Sequence, residues 1–229
     1  MTDFNSQNKL IGIRDWRIRL KHSRDEGTGF AAPGGEFTRA LFEWSLTPNG
    51  QILHSLISGR RVVELGAGMM SHGYALASVC GAINFVAVEP FYHDIQEKSI
   101  ASYITKNKGL ISRIPYKVVA QDMLAYLEAE QDDLLCILAC GIEDCILPGL
   151  HYRQKVENEI IRTMEKDSFF LSSHSDLFPK SLKNTEVTFP RPSNLKVFDR
   201  LRLHGGKHAY DRHKEELNDF WLKQGCMPN

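Results

Sequence analysis

The sequence predicts an α/β protein built on a doubly wound, mainly parallel seven-stranded sheet with helices on both faces. Two observations predict it. From residue 61 onward, short apolar runs alternate with longer stretches of helical spacing, four times over, as a parallel sheet covered on both sides requires. Within "RVVELGAGMMSHG", residues 61–73, two glycines follow the first of those runs, where open α/β sheets carry their ligand loops.

The strand candidates, in order, are "RVVELGA" (61–67), "NFVAVEP" (84–90), "YKVVAQ" (116–121), "LLCILAC" (134–140) and "SFFLSSH" (168–174). Between them lie four helix candidates, "SHGYALASVC" (71–80), "FYHDIQEKSIASYITKN" (91–107), "MLAYLEAEQ" (123–131) and "LHYRQKVENEIIRTMEK" (150–166). In the second helix Ile95, Ile100, Tyr103 and Ile104 form the apolar strip, leaving Asp94, Gln96, Glu97 and Lys98 for water. Val156, Ile160, Ile161 and Met164 play the same part in the fourth.

Downstream, "NLKVFDRLRLH" (194–204), Gly205-Gly206 and "KHAYDRH" (207–213) suggest a strand, a tight hairpin and a second strand, while "EVTFP" (186–190) competes for a strand assignment. Upstream, residues 37–58 suit one or two helices broken at Pro48-Asn49-Gly50, preceded by the Gly/Pro-rich "DEGTGFAAPGGEF" (25–37). The organisation expected is an N-terminal helical or lid segment, 1–57, and one α/β unit, 58–229.

Composition narrows the function classes. With 229 residues the chain suits one core, and its longest apolar run is far shorter than the ~20 residues of a membrane helix. The first ten residues lack the basic start and apolar run of a signal peptide, so the cytoplasm is the expected compartment and no membrane partner is expected. Five cysteines, three of them crowded near one apolar run, read as free thiols. Lys plus Arg equals Asp plus Glu at 28 each, which disfavours a nucleic-acid partner. The local exception is the basic stretch 14–24, "RDWRIRLKHSR", which could grip an anionic partner but reads first as a solvated face.

The glycine turn has two competing ligands. A dinucleotide site asks for G-x-G-x-x-G, but the third position is Ser71 and the next glycine is Gly73. Glu64, two residues before Gly66, would also gain nothing from a pyrophosphate. A sulfonium or ammonium ligand would suit that acid.

At this point "VELGAG" resembles the acid-x-Gly-x-Gly motif of the class I S-adenosylmethionine-dependent methyltransferases. The resemblance covers about residues 58–175 in element order. It implies a Rossmann-like methyltransferase fold and S-adenosyl-L-methionine as cofactor, with S-adenosyl-L-homocysteine as product. It implies cofactor contacts from Glu64, Gly66, Ala67 and Gly68 at the turn. Glu89, with Pro90, would take the ribose hydroxyls after the second strand. Asp122, with Met123, would take the adenine amino group after the third, and Cys140 would line the site from the fourth. Asp122 also suits a helix cap.

For the acceptor, the ends of the fourth and fifth strands are the places to look. The family's N/D-P-P-Y/F signature of amino-nitrogen methylation would fall at Cys140-Gly141-Ile142-Glu143, where it is missing. The candidate catalytic residues are His174, a general base beyond the fifth strand, Glu143, which could hold an amine, and Tyr152, which opens the following helix. His151 is a further candidate to line the acceptor pocket, and His72, after the glycine turn, to approach the donor's methionine end. His204, His208 and His213 lack a partnering acid, so no metal is expected. The expected activity is methyl transfer to a small-molecule acceptor. Its rivals are a protein acceptor, a non-catalytic cofactor-binding protein and an NAD-dependent oxidoreductase. Aminopropyl transfer on the same fold would want a more acidic acceptor pocket.

Overall fold

The structure is a computed structural model describing residues 33–142, 147–164, 168–177, 179, 187–189, 195, 198, 201–205 and 207–223. The chain enters through two helices, α1 (Gly35–Ser45) and α2 (Pro48–Ile57). Thr47 caps α2, its side chain accepting from the Gly50 N–H at 3.2 Å, and Pro48 occupies the first turn. The break between the helices therefore falls at Leu46-Thr47, and Gly50 lies inside α2.

Then come β1 (Arg61–Leu65), α3 (His72–Val79), β2 (Asn84–Val88), α4 (His93–Lys106), β3 (Tyr116–Val119), α5 (Met123–Ala129), β4 (Leu135–Cys140), α6 (Leu150–Met164) and β5 (Phe169–Ser173). All five strand candidates and all four crossover helices form at the expected places. The chain ends with β6 (Val187–Phe189), β7 (Leu201–His204) and α7 (Lys207–Lys223).

One sheet holds the strands in the order β3-β2-β1-β4-β5-β7-β6. The first five are parallel, and β7 runs antiparallel to both β5 and β6. Chain direction across the sheet reverses between β1 and β4, so the crevice at their carboxyl ends is the topological switch point.

Alternating strand residues build two cores. Val62, Phe85, Cys136, Leu138, Phe169 and Leu171 pack on one face with α1–α4 and with Ala209, Tyr210 and Leu217 of α7. Val63, Leu65, Val88, Ile137, Ala139 and Phe170 pack on the other with α5 and α6. Leu41, Trp44, Leu53 and Leu56 place α1 and α2 in the first core, continuous with the sheet. Tyr74 anchors that face: its hydroxyl bonds the Ile114 carbonyl at 3.1 Å, and its ring meets Phe85, Tyr103 and Tyr116 edge-on.

Two further expectations need correction. Residues 207–213 are the start of a helix, not the second strand of a hairpin, because Gly205 (φ +72) turns the chain out of β7 and Tyr210 and Leu217 meet the core at helical spacing. Gln96 is fully buried, not solvated, because it shares the buried stripe of α4 with Ser99, Ile100 and Tyr103. The basic stretch 14–24 and the Gly/Pro-rich stretch up to residue 32 lie outside the described residues.

Candidate functional site

Parallel strands deliver their carboxyl ends to one edge of the sheet, and the predicted cofactor residues collect there. Gly66 and Gly68, past the end of β1, both have left-handed backbones, with φ of +59° and +61°. Residues with a Cβ rarely adopt that conformation. A Cβ at Gly66 would also come within 3.2 Å of Ile142 and 3.6 Å of Met123, so the turn runs close between the segment after β4 and the start of α5. Between the glycines, Ala67 continues the ladder, its N–H donating to the Val88 carbonyl at 3.2 Å.

Glu89 joins β2 to that turn. One carboxylate oxygen accepts the Gly68 N–H at 2.8 Å, and the other accepts Phe91 N–H at 2.9 Å and Tyr92 N–H at 3.2 Å across the turn through Pro90. A carboxylate has about four acceptor positions. One thus remains on Glu89, and release of the Gly68 amide would open a second. Burial pushes the Glu89 carboxyl up in pKa, and the three amides pull it back down.

Glu64 points to the same face as α3. It is 3% exposed, and burial, with the neighbouring Glu89, pushes its pKa up to about 8. Its carboxyl stands against Gly73, in the first turn of α3, where any Cβ would overlap it. Sequence reading discounted Gly73 because its spacing was wrong for a dinucleotide turn. Its place is explained by packing: it makes room for Glu64. Cys140, at the end of β4, is a free thiol whose pKa is raised by burial and by Glu64.

Asp122 follows β3 and caps α5, one oxygen accepting from Leu124 N–H at 2.9 Å and Ala125 N–H at 3.3 Å. Its other oxygen accepts the Tyr152 hydroxyl at 2.6 Å. Tyr152 therefore stands beside the acid after β3. Met123 begins α5 and reaches Gly66.

His174 follows β5 directly with φ +47°, the one left-handed non-glycine among the described residues, and its side chain is exposed. Next to it, Gly141 N–H donates to the Ser173 carbonyl at 2.9 Å and Asp176 N–H to the Ile142 carbonyl at 2.7 Å, tying the ends of β4 and β5 together. Glu143 lies outside the described residues. His151 is exposed, and His72 packs on Phe37, ring centroids 4.8 Å apart, with burial lowering its pKa to about 4. His204 lies inside the sheet against Ser172 Oγ at 2.7 Å, away from this edge. No group of metal-ligating side chains occurs among the described residues.

Among the described residues several buried polar atoms near this edge lack a hydrogen-bond partner: Glu64 Oε2, Ser71 Oγ, and both ends of the Gln96 amide. Buried polar groups are ordinarily satisfied, so the crevice is suited to a polar ligand. Gln96 and Ile142 were not foreseen as site residues. Gln96 carried a signal only as a polar residue in the first turn of the helix that follows Glu89.

No family model matches the chain, and no curated protein matches it. Among solved structures it is similar to PH1948 of Pyrococcus horikoshii, provisionally described as an RNA methyltransferase, with 15% identity over 68% of this chain and 79% of that one, at a TM-score of 0.34. It is also similar to SMU.776, provisionally described as a methyltransferase and complexed with SAH (13% identity, 68% and 47% covered, TM-score 0.43). A third is a provisionally described SAM-dependent methyltransferase from Streptococcus mutans (11%, 70% and 48%, 0.40). The chain spans about half the length of these last two. No helix among the described residues is long and apolar enough to cross a membrane. With five parallel strands, an antiparallel β7, and an acid-x-Gly-x-Gly turn at the switch point, the chain has the Rossmann-like α/β fold of the class I S-adenosylmethionine-dependent methyltransferases that its sequence resembles.

Proposed function

We propose that the protein is an S-adenosylmethionine-dependent methyltransferase acting on a small-molecule acceptor. The observation that carries this reading is the row of acids Glu64, Glu89 and Asp122 at the carboxyl ends of three adjacent parallel strands, around a turn of left-handed glycines. When bound, S-adenosylmethionine supplies a methyl group on a sulfonium and leaves as S-adenosylhomocysteine.

The residues suit that group chemically. Glu64, with an unpartnered buried oxygen, suits a cationic ligand, because a nearby positive charge stabilises the carboxylate that burial disfavours. Glu89 keeps one acceptor position for a hydroxyl, and release of the Gly68 amide would open a second. Asp122 keeps one for the adenine amino group, while Met123 and Ile142 supply apolar surface beside Gly66. Ala67, Pro90 and Cys140 shape the turn and the floor.

Methyl transfer is an in-line displacement, so the protein mainly aligns the acceptor, excludes water and removes a proton. His174 is the candidate base: its left-handed backbone at the end of β5 turns an exposed imidazole out beside the joined β4 and β5 loops. Glu143 remains a candidate for holding the acceptor. Tyr152, bonded to Asp122, is better suited to the adenine end than to the methyl. The small-molecule acceptor rests on the balanced charge, 28 basic against 28 acidic residues, which gives no overall field for a polyanion.

The test is incubation with methyl-labelled S-adenosylmethionine and fractionated cell extract. Label in low-molecular-weight products, reduced at least about tenfold by His174→Ala, supports the reading. Label confined to protein or RNA overturns the acceptor class.

A further inference from the structure

Asp122 and Tyr152 come from different crossovers, 30 residues apart, yet their side chains meet at 2.6 Å. Asp122 accepts three hydrogen bonds, from two amides of α5 on one oxygen and from the phenol on the other. Of the four acceptor positions of a carboxylate, one is left, on the oxygen that Tyr152 holds. All three partners donate, so this side chain offers a ligand an acceptor in a fixed direction and no donor. A hydroxyl-to-carboxylate bond at this distance is also among the stronger ones, and Tyr152 is half-buried.

We propose that Tyr152 is a positioning residue that sets nucleobase specificity: by fixing Asp122 as a one-position acceptor, it admits a base with an exocyclic amino group and rejects one with an oxo group. This rests on the reading of the crevice as an adenosyl site. In Tyr152→Phe, water replaces the phenol: one of its two O–H groups donates to Asp122 and the other is free to donate to an oxo group, so the site no longer turns an oxo-bearing base away.

The experiment is calorimetric titration of the whole chain with S-adenosylhomocysteine and with its inosyl analogue, which carries an oxo group in place of the amino group. The wild type is expected to prefer the adenosyl ligand by about 100-fold or more, as sites built to pair one polar group reject its absence. Tyr152→Phe is expected to lower that ratio at least about tenfold, by weakening the adenosyl ligand more than the inosyl one. Tyr152→Leu removes the same hydroxyl and should lower the ratio as well, which serves if Tyr152→Phe does not fold, and thermal unfolding of each variant checks folding. An unchanged ratio, whether both affinities fall together or neither moves, overturns the inference while leaving the adenosyl site intact. A wild type that binds neither ligand overturns the adenosyl reading, and this inference with it.

Discussion

At the scale of single residues, Glu64 shows how burial holds an acid in its neutral form. Its folded pKa, pushed up to about 8 from 4.5 by burial and by Glu89, means that the folded chain holds a proton the unfolded chain has released. The stability contributed is fully present below about pH 4.5 and lost as pH rises through about 8. Glu64→Gln keeps the shape and removes the titration. Thermal unfolding followed from pH 5 to 9 is expected to fall more steeply in the wild type than in the variant; parallel curves would show that Glu64 is not buried as described. The acid itself was legible in "VELGAG", and so were Glu89 and Asp122, because each follows an apolar run. Their partners were not: three amides on Glu89 and a phenol from another crossover on Asp122 depend on loop paths that no spacing encodes.

At the scale of elements, two glycines are explained by neighbours and not by turns. Gly50 sits in the first turn of α2, where a Cβ would overlap the carbonyl of Trp44 at the end of α1. Pro48-Asn49-Gly50 looks like a break in the sequence, yet the glycine is what lets the two helices meet closely. Gly50→Ala is expected to destabilise by about 1–3 kcal/mol in chemical denaturation, since backbone cannot step aside as a side chain can. Gly73→Ala instead meets the Glu64 carboxyl, so the expected loss is about tenfold or more in S-adenosylmethionine affinity, read by calorimetry, with a smaller loss of stability. Unchanged affinity would remove Glu64 from the site. The C-terminal helix α7 was missed for a related reason. Gly205-Gly206 has the composition of a hairpin turn, while the spacing of Tyr210 and Leu217 that marks a helix is sparse in a polar segment.

At the scale of the molecule, the parallel half of the sheet was readable because strands buried on both faces are apolar throughout, as in "LLCILAC", and the helices between them are long. The strand order was not readable, since residue pattern does not say which strand is central. That order matters most for function. Placing β1 beside both β2 and β4 brings the glycine turn, Glu89 and the Cys140–Ile142 segment to one crevice. The central claim is that this crevice holds an adenosyl sulfonium cofactor. It is tested most directly by calorimetric titration of the whole chain with S-adenosylmethionine, S-adenosylhomocysteine and NAD, repeated on Glu89→Ala with its folding checked by thermal unfolding. The account predicts saturable binding of both adenosyl ligands, lost or weakened at least about 100-fold in the variant, and no binding of NAD. Binding of NAD alone, or adenosyl binding indifferent to Glu89, would contradict it.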